Sequence, residues 1–186
     1  TPFGSFDHHI EGDIVRGDKP RVLISGAMAA NFNSDRLYST NNSLTTRTVG
    51  TNTAVPAYTD YYNYVVDFIL KWRGVSVELE YLVKKAKDEI IGYSNAAQTT
   101  PVYSQSGHGW IAQVGVHPLP KDWPQIEVVG RYAQLYSDSP NTALTQLSDQ
   151  QRNEAVSGVN YYINGHLCKI QADYFQIWGN AYTEHG

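Results

Sequence analysis

Asp60-Tyr61-Tyr62-Asn63-Tyr64-Val65-Val66-Asp67-Phe68-Ile69-Leu70-Lys71-Trp72-Arg73 is the stretch that decides the fold class. In an extended chain successive side chains point to opposite faces. Tyr62, Tyr64, Val66, Phe68, Leu70 and Trp72 then share one face, and Tyr61, Asn63, Asp67, Lys71 and Arg73 share the other. Only Val65 and Ile69 break the polar side. The segment over 75–86 repeats the arrangement, with Val75, Val77, Leu79, Tyr81 and Val83 against Ser76, Glu78, Glu80 and Lys84. Two adjacent strands, each apolar on one face and charged on the other, are the starting point.

The same alternation extends outward. Over 166–177, Cys168, Ile170, Ala172 and Tyr174 oppose Lys169, Gln171 and Asp173; over 125–136, Ile126, Val128, Gly130 and Tyr132 oppose Glu127, Val129, Arg131 and Ala133. Val159, Tyr161 and Ile163 share the apolar face of a strand at 155–163. Strands at 20–31 and 109–117 alternate less cleanly, and Gln113 is taken on the polar side of the latter. The reading is seven strands and no helix.

The connections alternate too. Arg73-Gly74 and Asn164-Gly165 are hairpin turns, and the joint at 118–124 is compact. Between these lie long polar segments at 32–59, 87–108 and 137–153, rich in turn residues and poor in strand formers. Short turns at one end of the strands and long loops at the other are the pattern of outer-membrane barrels. Ten steps from Tyr62 to Trp72 at ~3.3 Å give ~33 Å, which a ~40° tilt reduces to ~25 Å, the height of the apolar band in such barrels. Trp110 and Trp178 then fall near the loop end and Trp72 and Trp123 near the turn end. With Tyr62, Tyr64, Tyr132 and Tyr174 they make up two expected aromatic girdles.

Composition fits. Charged residues are 17% and aromatics 12% of the 186 residues, with 14 Tyr and 4 Trp, which favours surfaces half wet and half apolar. No run of about 20 apolar residues exists, which excludes a transmembrane helix and leaves a closed barrel as the way through a bilayer. A net charge of −4 with scattered Lys and Arg gives no footprint for nucleic acid. Cys168 is the single cysteine, so no internal disulfide or cysteine zinc cluster is available. The chain opens at Thr1, and the expectation is a processed or truncated sequence.

Several local sequences resemble the phosphate-selective porin O/P family, in the C-terminal part of its barrel. They are Glu11-Gly12-Asp13 with Gly17-Asp18-Lys19-Pro20; Lys71-Trp72-Arg73-Gly74 running into Val75–Tyr81; Gly107-His108-Gly109-Trp110; Ile126–Tyr132; and Gly158–His166 running on to Tyr174. The resemblance implies a porin domain over 1–186, partial, in an all-β antiparallel transmembrane barrel of 16 to 18 strands. It also implies a homotrimer in the bacterial outer membrane, in contact with lipid and lipopolysaccharide. Seven strands are too few for such a barrel, so N-terminal strands and the closing strand are expected to be missing.

Under this reading Asp67, Lys71, Arg73, Glu78, Glu80, Lys84, Gln113, Glu127, Arg131, Lys169, Gln171 and Asp173 line a pore and steer ions. Some of the glutamates instead brace the wall by pairing with Lys71, Arg131 or Lys169. Acids offset bases here, so the expectation is passive diffusion of ions and small solutes with at most a slight lean toward anions or phosphate. No cofactor, metal or covalent step is expected, and no enzyme activity. Asp7-His8-His9 lacks a third ligand and is read as surface histidines. Ser106 and His108 lack an orienting acid for nucleophilic chemistry. Asn41-Asn42-Ser43 carries no meaning in a bacterial envelope. The alternative is a soluble β-barrel or sandwich that binds carbohydrate or another small ligand through exposed aromatics.

Overall fold

The alternating stretches become neighbouring strands because each presents a complementary edge to the next. In a computed structural model that describes residues 12–34, 46–49, 53–99, 101–121, 123, 125–138, 151–164 and 167–179, eleven strands occur in chain order. They are β1 (Arg21–Ser34), β2 (Thr46–Val49), β3 (Thr53–Pro56), β4 (Thr59–Trp72), β5 (Val75–Ala86), β6 (Ile90–Tyr93), β7 (Pro101–Tyr103), β8 (Gly107–Val116), β9 (Gln125–Ser137), β10 (Arg152–Asn164) and β11 (Cys168–Gly179). There is no helix among the described residues.

Seven strands form one sheet in the order β1-β4-β5-β8-β9-β10-β11, every neighbour antiparallel. These are the seven strands expected from sequence, each within a few residues of the predicted bounds. Two corrections concern the connections. The segments 32–59 and 87–108 hold the short ladders β2–β3 and β6–β7, which the polar composition hid. Thr46, Thr48 and Val49, or Ile90 and Ile91, are β-branched residues that suit strands even at such short lengths. The Asn164-Gly165 turn is also longer than a two-residue hairpin. The β10–β11 register shifts between Tyr162 and Asn164, and Leu167 N donates to Asn164 O at 3.1 Å. Gly165, His166, the Asp7-His8-His9 cluster and Asn41-Asn42-Ser43 lie outside the described residues.

The sheet does not close. Among the described residues β1 pairs only with β4 and β11 only with β10, so each leaves one edge free. It does curl. A single cavity of about 540 Å³ is lined from β1, β4, β5, β8, β9 and β10, which requires those six strands to bend around it. Five of these strands give the lining two residues of the charged face and the one apolar-face residue between them, as with Ala27, Met28 and Ala29 or Leu82, Val83 and Lys84. The charged face thus supplies most of the lining, and it is also the more buried one, with Tyr61, Lys71, Ser76, Ala86, Glu127, Asn160 and Tyr162 all buried, which makes it the concave side.

Candidate functional site: the two faces of the sheet

Register fixes what each face carries. The strands of the main sheet hold fourteen Asp, Glu, Lys and Arg residues. Twelve lie on the concave face: Arg21, Asp67, Lys71, Glu78, Glu80, Lys84, Glu127, Arg131, Arg152, Glu154, Lys169 and Asp173. The other two, Asp60 and Lys85, sit at the loop end of the convex face. Below them that face is apolar, with Ile24, Met28, Ile170 and Tyr174 between 61% and 80% exposed.

The aromatic residues singled out from sequence follow the same register. Tyr62, Tyr64, Trp72, Trp110, Tyr132, Tyr174 and Trp178 lie on the convex face. Trp123 lies in the β8–β9 connection and is exposed. Trp110, Tyr132 and Trp178 form a continuous cluster toward the loop end, with ring centroids 5.2 and 6.0 Å apart. Trp72 is at the turn end, where its Nε1 donates to Asp18 O at 3.0 Å.

On the concave face the expected lining residues share one surface in separate rows, except Arg73. That residue occupies the β4–β5 turn with positive φ, exposed, its guanidinium 5.3 Å from the Trp72 ring. The Arg73-Gly74 hairpin expected from sequence removes it from the strand, against its place in the alternation. Asp67 accepts from Ser25 Oγ at 3.0 Å, and Gln113 Nε2 donates to Glu78 at 3.5 Å. Arg131 pairs at 2.5 Å with Glu154, its diagonal neighbour on β10, rather than with the glutamates on β5 and β9. Gln171 donates to Asp173 along β11.

Lys71 and Glu127 are on this face but are only 5% and 1% exposed, because a strap formed by residues 12–20 crosses the turn end above them. Asp13, itself 1% exposed, ties it down. Its carboxylate pairs with Arg21 and accepts from Gly74 N at 2.9 Å and Arg16 N at 3.3 Å. Arg16 donates to Leu119 O and to Gln125 Oε1, and Lys71 Nζ donates to Gly12 O at 3.4 Å. Glu127 accepts from Tyr162 Oη at 2.5 Å, Asn160 Nδ2 at 3.0 Å and Ser76 Oγ at 3.5 Å. The sequence signal for this strap was Gly12-Asp13 itself. Gly12 has φ +57°, and a Cβ there would lie 2.8 Å from Glu127 Oε1.

Gly115 serves the same cluster. A Cβ there would stand 2.2 Å from Glu127 Oε1 and 2.6 Å from Ser76 Oγ, and a carboxylate held by three donors has no room to yield. Gly115→Ala is expected to cost about 1–3 kcal/mol by overpacking, seen as a lower urea midpoint at unchanged slope. An unchanged midpoint would mean that the Glu127 cluster is loosely held.

His117, in the turn after β8, packs its ring 5.8 Å from that of Tyr162. Its Nδ1 lies 3.1 Å from Ile126 O, while Nε2 is buried with no partner among the described residues. Burial holds its pKa below the ordinary histidine range; Arg16 also pushes it down, while Glu127, the Ile126 bond and Asp13 pull it up. The folded protein thus binds fewer protons than the unfolded chain in the window just below the ordinary histidine pKa. Stability is expected to be full above that value, to fall as pH drops through it, and to level off once folded His117 protonates. His117→Gln should flatten the slope between pH 7.5 and 5; an unaltered slope would place its origin elsewhere.

Near the loop end, His108 Nδ1 lies 3.1 Å from the Asp138 carboxylate and its ring stacks on Tyr136 with centroids 5.0 Å apart. The acid that sequence reasoning did not find beside His108 is therefore Asp138. Ser106 Oγ accepts from Ala86 N at 3.0 Å. Among the described residues no group of three or more His, Cys, Asp or Glu is arranged to hold a metal.

Comparison with family models, curated proteins and solved structures finds no match for this chain. Function is read from the geometry alone.

Proposed function

We propose that this sheet is wall from a bacterial outer-membrane β-barrel that lets ions and small solutes diffuse passively through a water-filled channel. The observation that carries the reading is the division of charge, with twelve charged residues on the concave face and none on the convex face below Asp60 and Lys85. A convex apolar face of this width is costly in water and suited to lipid, while the concave face suits water. Long connections at one end and short turns at the other support the same orientation. The free edges of β1 and β11 would be intolerable in a bilayer, so the reading requires them to pair with further strands. A trimer of 16- to 18-stranded barrels, touching lipid and lipopolysaccharide, supplies that arrangement.

Selectivity follows from the balance of charge. Six acids, Asp67, Glu78, Glu80, Glu127, Glu154 and Asp173, face six bases, Arg21, Lys71, Lys84, Arg131, Arg152 and Lys169. Among the described residues a wall so balanced leaves at most a slight lean toward anions or phosphate. Planar-bilayer recording on detergent-extracted native protein is expected to give ohmic currents with weak ion preference, and the extracted protein a heat-sensitive band well above 20.8 kDa. A freely soluble species with no conductance would overturn the reading in favour of a soluble β-domain.

A further inference from the structure

We infer that the strap over residues 12–20 is an acid-opened latch: a proton taken up by His117, against which the strap's Arg16 packs, drives the strap off the turn end of the concave face. Two observations carry this. The first is where unsatisfied polar groups collect. Buried side-chain nitrogens and oxygens nearly always find a partner in a folded protein. Among the described residues four have none: Arg16 Nε, Arg21 Nε, His117 Nε2 and Asn160 Oδ1. All four lie at this one end of the sheet. Arg16 is on the strap, Arg21 pairs with the strap's Asp13, Asn160 donates to Glu127 under Gly12, and His117 stands in the adjoining turn. Lifting the strap returns Arg16 and its neighbours to water, so the closed form carries a local cost that favours opening here.

The second is how His117 meets the strap. Arg16 Cγ and Cδ and His117 Cβ each come within 3.4 Å of the place that a Cβ on Gly74 would occupy, so the two side chains close over the same glycine. The Arg16 guanidinium donates to Leu119 O and to Gln125 Oε1, which lie in and just after the connection that His117 opens. His117 cannot swing clear, because its backbone N donates to Gly74 O at 2.8 Å and its Nδ1 lies 3.1 Å from Ile126 O. A carbonyl only accepts, so Nδ1 carries the hydrogen of the neutral ring and Nε2 a lone pair. A second proton therefore adds a charge and a buried N–H where no acceptor stands among the described residues.

The described charged groups facing the ring are Arg16 and Asp13 from the strap and Glu127 from β9. Arg21 pairs with Asp13, Lys71 lies close to both acids, and Arg73 and Lys121 are exposed in the flanking turns. From β10 the Tyr162 hydroxyl already donates to Glu127. Both carboxylates are held by other donors, Asp13 by Arg21, Gly74 N and Arg16 N, and Glu127 by Tyr162, Asn160 and Ser76. In the closed form burial, and with it Arg16, holds the imidazole below the ordinary histidine range against the pull of Glu127. Once the strap lifts, water reaches Nε2 and Arg16 moves away, so the open form binds the proton more tightly. The latch is then fully closed above the ordinary histidine pKa. Below it the opening constant rises by up to about tenfold per pH unit, and it levels off once His117 of the closed form is protonated.

The latch does not rest on the channel reading; on that reading its opening uncovers Lys71 and Glu127 and raises conductance at acid pH. Hydrogen exchange on the detergent-extracted protein tests it, because the Arg73 and Gly74 amides donate to Gly17 O and Asp13 Oδ2, both on the strap. Their protection factors, corrected for the intrinsic pH dependence of exchange, should fall about tenfold between pH 7.5 and 5, and should stay below those of mid-strand amides of β4 and β5 throughout. His117→Gln should abolish the fall, and Arg16→Gln, which keeps the imidazole, should shrink it. His108→Gln, at the opposite end of β8, should leave it unchanged. No fall, an equal fall in His117→Gln, or loss of protection only in step with the mid-strand amides would overturn the inference. If His117→Gln does not fold, an undiminished fall in Arg16→Gln does the same. Protection independent of pH beside ohmic currents would sink the latch and keep the channel, whereas an acid-dependent loss of protection without conductance at any pH would keep the latch and sink the channel.

Discussion

Val114→Arg is expected to lower the yield of the membrane-inserted, heat-modifiable form several-fold, while Gln113→Arg, one residue earlier on the same strand, leaves it nearly intact. Val114 lies on the convex face toward the turn end of β8, opposite Val77 and Gly130 and one same-face step from the row of Val116, Val75 and Trp72. An arginine on the lipid side of a barrel costs about 2–4 kcal/mol at the middle of the bilayer and less toward the interface, so about 1–2 kcal/mol is expected at this depth. Gln113 points to the concave face beside Glu78, where an added guanidinium stays in water and gains a carboxylate neighbour. Its effect should lie within about 0.5 kcal/mol of zero. Folding of each variant into lipid vesicles, followed by the shift in gel mobility on boiling, measures the difference. In water Val114 is already 43% exposed, and an arginine there would cost little. Equal folding of the two variants would therefore sink the membrane reading, which makes this pair of substitutions a sharper test than extraction behaviour.

The second large effect is expected at the strap. Asp13→Ala removes an acceptor for Arg21, Gly74 N and Arg16 N at once and leaves the mostly buried Arg21 without its counter-charge. Breaking a buried pair from one side costs about 3–5 kcal/mol. Asp13→Asn keeps an oxygen for the Gly74 amide and should lose less. Because Arg73 N donates to Gly17 O at 3.3 Å, hydrogen exchange at Arg73 and Gly74 reports whether the strap has lifted. Both amides should lose protection in Asp13→Ala before the central strands do. Unchanged exchange, or global unfolding without this early loss, would mean that the strap is not a separately held element. On the channel reading, lifting it also uncovers Lys71 and Glu127 at the turn end, and single-channel conductance should rise.

The two predictions differ in how readable they were beforehand. Val114 lay in a strand that alternates weakly, yet its face follows once Leu79 and Tyr81 are paired with Ala112 and Trp110. Gly12-Asp13 is a local turn signal, but nothing local says what Asp13 latches onto. Its three partners come from the strap, the start of β1 and the β4–β5 turn, which are up to 61 residues apart.

The sequence by itself determined the all-β class, the seven main strands, which residues of the clean strands share a face, and the alternation of short and long connections. These are properties of neighbours along the chain, where a period of two leaves a direct trace in residue order. Only the tertiary structure decided that Arg131 pairs with Glu154 and that Lys71 and Glu127 are covered, while the Arg73-Gly74 turn read from sequence already removed Arg73 from the wall on which the alternation had placed it. It alone brought Arg16 of the strap against His117. Each of those outcomes depends on register between strands and on a segment folding back over the sheet. Cross-strand neighbours are set by the whole ladder of hydrogen bonds and by the turns that fix its offset, and no single strand contains that information.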